Sequence, residues 1–459
     1  MMLRVATISL LTGSALLGRS GSDPVSSAAS QATQAPPPSS ADWLAVLPDG
    51  EMKRRFILDC TGCHQFDERR ALKDGAPRTA DQWRTDMARM FGFAGARSGF
   101  PVISLHQESA GTADWVAQAV AAARAPVVAS PLPEAANPGR AEVTEYDTPV
   151  PGDLPHDVAI DSATGQVLVT GMFSHVMYRL DPASGEFARV EIPVPRANPR
   201  AVELDAAGNW WVLLGGPNMV ARYEPGSRRW TTFPIGMYPH SIAVGGQGRI
   251  WFNGHFTRDP EELGFVDAAS GQVTRLALPP HPDLATVPGG PVPYEQRVAP
   301  DGAVWISELQ GNRMIRFEPT TRESQVFTLP TSFSGPRRFD IDAQGILWIP
   351  AYSANLLVRL DPATGRFTEF PIPVKDATPY IARVDPLGRG IWLAMAAADV
   401  LMRFDPSTGR FTSYPLPTRG TLTRHLVVNP RHGEIWLAYG ASPSVNPSRV
   451  ARVVVPPGG

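Results

Sequence analysis

A small all-α segment followed by an all-β ring of seven four-stranded repeats is the fold class that this sequence predicts. Three observations carry the prediction. Seven stretches of one pattern succeed each other from residue 141 onward. Glycine (41) and proline (47) are abundant among the 459 residues while 19% are charged, which suits many tight turns better than long helical bundles. Before residue 126 the apolar residues fall instead at helical spacing.

Taken in order, residues 1–22 read as a secretory signal. Arg4 is followed by about a dozen apolar or small residues and then by Gly, Ser and Ala. That run is shorter than the roughly 20 residues a bilayer span needs, and no second run of membrane length follows. The expected location is periplasmic or secreted. Residues 23–40, rich in Ser, Ala, Gln and Pro, are too polar for a core and read as a disordered linker. With 42 Lys+Arg against 44 Asp+Glu and no long basic run, nucleic acid is an unpromising partner.

Residues 41–125 hold both cysteines of the chain, in "CTGCH", Cys60 to His64. Export would permit a Cys60–Cys63 disulfide. A redox pair of the thioredoxin kind needs a βαβ context and leaves His64 without a role, and zinc wants four ligands. The C-x-x-C-H spacing suits covalent haem, with two thioethers and the following imidazole as axial ligand. "LPDGEMKRRFILDC" reads as a short helix running into the motif, with Phe56 and Ile57 against the haem edge. "RTADQWRTDMARMF" pairs Thr79 and Gln82 as a capping box and sets Trp83, Met87 and Met90 on one helical face. A last helix starts behind Thr112.

This segment resembles the class I cytochrome c domain. The resemblance implies a second axial ligand from a downstream methionine, for which Met90 comes first and Met87 second, with His106 as a third candidate that would lower the potential.

A Pro/Ala linker, residues 126–140, leads into residues 141–459. Units opening "PHDVAIDSATGQVLVTG", "PRAVELDAAGNWWVLLG", "PHSIAVGGQGRIWFNG", "PYEQRVAPDGAVWISE", "PRRFDIDAQGILWIPA", "PYIARVDPLGRGIWLA" and "TRHLVVNPRHGEIWLA" recur every 40 to 54 residues, the period of a propeller blade. Each continues into a run ending "R-x-D-P" and another like "GRFTEFPIP", so four strands per blade are expected. The last unit lacks its fourth strand, and "AEVTEYDTP" at 141–149 has that pattern. The ring should therefore close by joining its first strand to its last blade, which hides an edge.

These blades resemble the streptogramin lyase (virginiamycin B lyase) family of seven-bladed propellers through phrases such as "PHSIAVGGQGRIWF" and "DGAVWISE". The resemblance implies magnesium-dependent opening of a cyclic depsipeptide by elimination, with His240 at the position of the catalytic base and Glu308 near that of the metal-binding glutamate. Tyr294 stands where the family's second functional histidine is expected.

Counting eleven or twelve residues back from each Trp-equivalent position gives His156, Arg200, His240, Tyr294, Arg337, Tyr380 and His425. All should meet at one mouth of the central channel, with His255, Glu308 and Tyr352 adjoining, in a cationic funnel. Arg200 and Arg337 would favour an anionic or carbonyl-bearing ligand. The alternative is a ring of polar residues that merely binds channel water. His175, His281 and His432 read as solvated turn residues. Three functions follow: electron transfer by a haem domain coupled to a propeller that binds a substrate or redox partner, with a quinone-dependent dehydrogenase as a subtype; a lyase or other hydrolytic enzyme with an accessory cytochrome; or a non-catalytic docking scaffold.

Overall fold

The computed structural model describes residues 37–62, 64–91, 109–123, 127–257, 259–282, 290–440 and 448–456. Seven four-stranded antiparallel sheets are present, and they follow the repeat. Blade 1 spans Pro155–Glu191, blade 2 Pro199–Pro234, blade 3 Pro239–Ala277, blade 4 Pro293–Thr328, blade 5 Asp340–Pro371 and blade 6 Pro379–Pro415. Blade 7 takes three strands from Thr423–Val454 and its fourth from Glu142–Asp147. That strand pairs antiparallel from Glu142 opposite Val454 to Asp147 opposite Arg449, so the ring closes as the pattern predicts.

The repeat has a local cause. In "DAAGNWW", Asp205 accepts the backbone N–H of Ala207 at 3.0 Å and the indole N–H of Trp211 at 2.9 Å. Asp342 does the same for Gln344 and Trp348, and Asp385 for Leu387 and Trp392. One carboxylate thus closes the first hairpin turn and pins the large ring of the second strand. The turn glycines Gly208 and Gly345 sit at φ 79°, which residues with a Cβ rarely adopt. The "D-P" or "D-A" after the third strand makes a second Asx turn, as where Asp405 accepts from Ser407 at 2.8 Å. The second strands of all seven blades are buried, apart from half-buried Arg249 at the start of that of blade 3, and six of them carry a buried Trp between neighbouring blades.

Blade 5 departs from the pattern at its inner edge. Only Asp340 and Ile341 form regular strand, because the backbone of Arg338 turns to bond blade 6 through Tyr380 and Ala382.

Five helices precede the ring: α1 (Ser40–Leu44), α2 (Glu51–Cys60), α3 (Glu68–Ala71), α4 (Ala80–Phe91) and α5 (Ser109–Ala122). The capping box holds, with Thr79 N–H donating to Gln82 at 3.0 Å and Gln82 N–H to Thr79 at 3.3 Å. α5 begins before Thr112, which lies inside the helix. Phe56 of α2 meets Phe66 at 5.3 Å and Trp115 of α5 at 5.7 Å, and Phe66 meets Trp83 of α4 at 6.1 Å. The helices do not form an all-α body standing apart. Their apolar cluster runs without a break into that of blades 4–7, and a short hairpin, Leu72–Lys73 with Ala76–Pro77, lies among them. No helix among the described residues is long and apolar enough to cross a membrane.

Closure depends on Glu145 in the joining strand. It accepts from Thr418 at 2.7 Å, from Arg449 at 2.8 Å and from the Tyr439 hydroxyl. Glu145→Ala strands three buried or half-buried donors and should cost about 1–3 kcal/mol, read as a lower urea midpoint at unchanged slope. An unchanged midpoint would show that strand pairing alone closes the ring.

Candidate functional site

Each innermost segment enters from a turn at one face of the ring, and the residue after its leading proline, or after Thr423 in blade 7, points to the axis. Contacts between blades that are not neighbours establish this. His156 of blade 1 meets His240 of blade 3 at 5.7 Å. Tyr294 of blade 4 shares a hydroxyl hydrogen bond with Tyr380 of blade 6. The Arg337 guanidinium lies 5.1, 3.8 and 4.4 Å from the rings of Tyr294, Tyr352 and Tyr380. Six of the seven residues read from the repeat therefore converge: His156, Arg200, His240, Tyr294, Arg337 and Tyr380.

Blade 7 is the exception, because its first turn is of the longer kind found in blades 1 and 6 and a count of eleven falls one residue short. Asn429 N–H reaches Glu434, five residues on, whereas Asp205 and Asp342 close on residues four away. The register aligns Thr423 with Pro199 and His425 with Ala201, so Arg424 occupies the axial position. His425 points one layer deeper, 3.7 Å from Asp157. The twelve-residue spacing already used for blades 1 and 6 was the signal that finds Arg424.

His255 and Tyr352 do join this layer. The ring of His255 stacks on His240 at 4.5 Å, and Tyr352 contacts Tyr380 at 6.0 Å. Glu308 does not. It pairs across from Pro293, as Gly254 does from Pro239, so it precedes the inward position by one residue and faces the other side of the sheet. There it holds Arg313 by two hydrogen bonds, with Glu261 beside them. Burial, joined by the Glu308 charge, pushes Glu261 up to about 10, and burial raises Glu308 as well against the pull of Arg313. Among the described residues no group of three or more His, Cys, Asp or Glu gathers as a metal site.

The mouth is not the open funnel that the pattern suggests, since every one of the seven axial side chains is buried. Burial sets its charges. It holds His156 and His255 down at about 3, with Arg200 adding repulsion, and puts His240 and His425 well below their ordinary value. Burial by itself would raise Asp157, but Arg338, 2.9 Å away, with His425 and His156 keeps that carboxyl ionised far below the usual range. Tyr380 is brought down to about 8 because Arg337, Arg424 and Arg338 together outweigh its burial. Below this layer a cavity of ≈ 280 Å³ opens toward the other face between Glu203, Glu295, Arg297, Arg338 and Arg383. Its arginines and carboxylates are paired with each other.

The helical cap reaches the mouth through the cysteine motif itself. The Thr61 hydroxyl lies 2.7 Å from the Tyr352 hydroxyl, which also donates to Thr61 O at 3.0 Å. Arg424 donates to Gly62 O at 3.1 Å. Around them Gln65 bonds Ala396 O at 2.7 Å, Gln310 bonds Asp59 at 3.0 Å, and buried Lys53 pairs with Asp376 at 2.6 Å. Cys60 ends α2, while Cys63 and His106 lie outside the described residues. The Nδ1 of His64 is 3.2 Å from Gln65 O, and burial followed by Arg70 holds the imidazole neutral. Met87 is buried on α4 beside Trp83, and Met90 is half-buried one turn further. His175 and His281 hold backbone groups rather than water alone: Nδ1 of His175 accepts from Asn198 N–H at 3.2 Å, and Nε2 of His281 lies 3.0 Å from Gly311 O.

With this geometry in view, the comparisons are informative. The sequence matches the virginiamycin B lyase family over residues 283–447, blades 4 to 7. Tyr294 and Glu308 fall inside that stretch and His240 outside it. No curated protein matches. Among solved structures, a streptogramin B lyase aligns at 21% identity over 69% of this chain and 98% of its own, with TM-score 0.60. A catalytically inactive virginiamycin B lyase from Staphylococcus aureus with quinupristin aligns at 19% over 69% and 100%, also at 0.60. YCF48 bound to D1 peptide aligns at 13% over 71% and 99%, at 0.54. At these identities the likeness establishes the seven-bladed fold.

The four low-lying histidines predict a pH dependence. Each is depressed in the folded state, so the unfolded chain takes up protons first as pH falls below about 6.5, and stability drops. The expected loss is about 1.4 kcal/mol per histidine per pH unit between roughly 6.5 and 3. Guanidinium unfolding at pH 7.5, 6, 5 and 4 measures it. A stability constant from pH 6.5 to 5 would show that these imidazoles are not held neutral.

Proposed function

We propose that this protein is an exported c-type cytochrome acting in electron transfer, with haem c carried by Cys60 and Cys63 and ligated by His64, directly against the mouth of a substrate- or partner-binding propeller. The observation that supports it most is the docking of the attachment motif: the two residues between the cysteines, Thr61 and Gly62, are hydrogen-bonded to Tyr352 and Arg424 of the channel mouth.

The surrounding residues fit the group. His64 has Nδ1 engaged with a backbone carbonyl, which presents Nε2 as the ligating nitrogen and fixes its orientation. Phe56, Phe66, Trp83 and Trp115 supply an aromatic shell. Trp83 is buried, yet its indole N–H has no acceptor among the described residues, and a haem carboxylate would satisfy it. When bound, the haem supplies one-electron redox chemistry at iron. The chain orients it: α2 and the Thr61–Tyr352 bond hold the motif on the ring, and the cap excludes water from the mouth. Met90 is the distal ligand in this reading, with Met87 the alternative, and the export signal at residues 1–22 accords with haem attachment outside the cytoplasm.

The family match supports a second reading, in which the propeller is a magnesium-dependent lyase and the helices are accessory. His240, neutral with Nδ1 bonded to Tyr294 O at 2.8 Å, has its Nε2 available as a base. Two features count against it: Glu308 is occupied by Arg313, and the mouth lies buried. Incubation with magnesium and a cyclic depsipeptide separates the readings, since ring opening lost in His240→Ala would favour the lyase.

Haem-specific staining after denaturing electrophoresis tests the first reading. Wild type should stain, while Cys60→Ser and Cys63→Ser should lose covalent haem; a wild type that releases all its haem on denaturation would refute it. Met90→Ala should abolish the methionine-to-iron absorption in the red. The same loss in Met87→Ala alone would transfer the ligand role.

A further inference from the structure

We propose that the channel mouth binds a small phenol or hydroquinone that reduces the haem, with His240 and His255 accepting its hydroxyl proton. This rests on the haem reading above and adds to it the class of electron donor and the residues that receive it.

The tautomers come first. Nδ1 of His240 lies 2.8 Å from Tyr294 O and Nδ1 of His255 lies 3.0 Å from Pro293 O. A carbonyl only accepts, so both Nδ1 atoms carry the proton and both Nε2 atoms are bare acceptors. Neither Nε2 has a hydrogen-bond partner among the described residues. The two rings stack 17° from parallel with centroids 4.5 Å apart, so both acceptors belong to one stacked pair. Arg200 supplies the complement. Its terminal nitrogens reach the Tyr238 hydroxyl and, at 3.4 Å, Nε2 of His156, but its Nε is buried without an acceptor. The Arg200 Nε is a buried donor left unanswered, which is costly unless something answers it, and the two Nε2 acceptors beside it have no protein partner among the described residues. The walls are aromatic: Tyr294 stands 4.1 Å from His240, Phe256 4.5 Å from His255, and Tyr238 5.2 Å from Phe256. A flat ring bearing hydroxyls meets both demands, stacking on these rings and donating to Nε2.

The same layer leads to the haem motif. Tyr294 bonds Tyr380, Tyr380 touches Tyr352, and Tyr352 bonds Thr61 between the two cysteines. In the step proposed, the phenol O–H bond breaks. Its proton passes to Nε2 of His240 or His255, and haem, when bound at the cysteine motif, would serve as the one-electron oxidant that takes the electron along this aromatic contact. A phenoxyl radical remains. From a hydroquinone, a second electron and proton would follow by the same route, with a redox partner as the terminal oxidant, and quinone would leave. A phenol becomes strongly acidic as its electron departs, so a histidine kept neutral by burial is a sufficient acceptor.

The test uses the full-length haem-loaded protein, with redox-inert phenol in titration calorimetry and hydroquinone in anaerobic stopped-flow. Wild type should bind phenol. His255→Gln and Arg200→Gln should each weaken it by about tenfold, with melting temperatures close to wild type. Reduction by hydroquinone should saturate with concentration in wild type and become linear in both variants, while dithionite reduces all three. Absence of phenol binding in wild type, or binding unchanged in both variants, would overturn the proposal. Failure of the haem reading shows separately, as a protein without covalent haem or one that dithionite cannot reduce, and leaves the calorimetric result to stand or fall alone.

Discussion

The pairing of Glu142–Asp147 with Arg449–Val454 is the constraint on which the rest of this structure depends. Seven twisted sheets around an axis leave two open edges until the first strand of the ring joins the last blade. Without that join, the inner strands have no fixed circle. The axial side chains would then be seven unrelated polar residues on seven sheet edges. With it, His156 meets His240 and Tyr294 meets Tyr380 across the channel.

Convergence has an electrostatic consequence. Arginines and histidines brought together and buried cannot all be charged, and here the division is clear. The guanidiniums stay charged, stacked on tyrosine rings or paired with Asp157 and Glu295, and the imidazoles give up their protons. Neutral histidines with defined tautomers follow from that arrangement. So does a tyrosine of lowered pKa at the point where the channel meets the cap.

The cap turns two parts into one object. Lys53 with Asp376, Asp59 with Gln310, and Thr61 with Tyr352 are contacts between residues far apart in sequence, and several are buried. Buried polar contacts of this kind are costly to break because each partner is left unsatisfied. The helices therefore hold the cysteine motif in one place relative to the axis, which a flexible tether would not do. A fixed position also keeps the mouth covered by the cap.

Much of this was legible in the chain itself. The Asp turns and the second-strand Trp residues are local signals that recur from blade to blade, and the orphan strand at 141–149 supplies the piece the last unit lacks, so the propeller and its closure could be read from pattern. The capping box at Thr79 and Gln82 was equally local. Six axial residues followed from the repeat, and the seventh was missed because blade 7 shares the longer first turn of blades 1 and 6, so a count of eleven instead of twelve lands on the opposite face. Glu308 erred by the same single step. What no pattern held was the union of the two halves. The Thr61–Tyr352 contact joins residues 291 apart, and nothing in either neighbourhood refers to the other; nor does any one blade reveal that His240 and His255 are buried and neutral. Local sequence determines turns, strands and faces, because those depend on neighbours along the chain. Burial, protonation and the meeting of cap and channel depend on neighbours in space, and only the closed tertiary structure decides them.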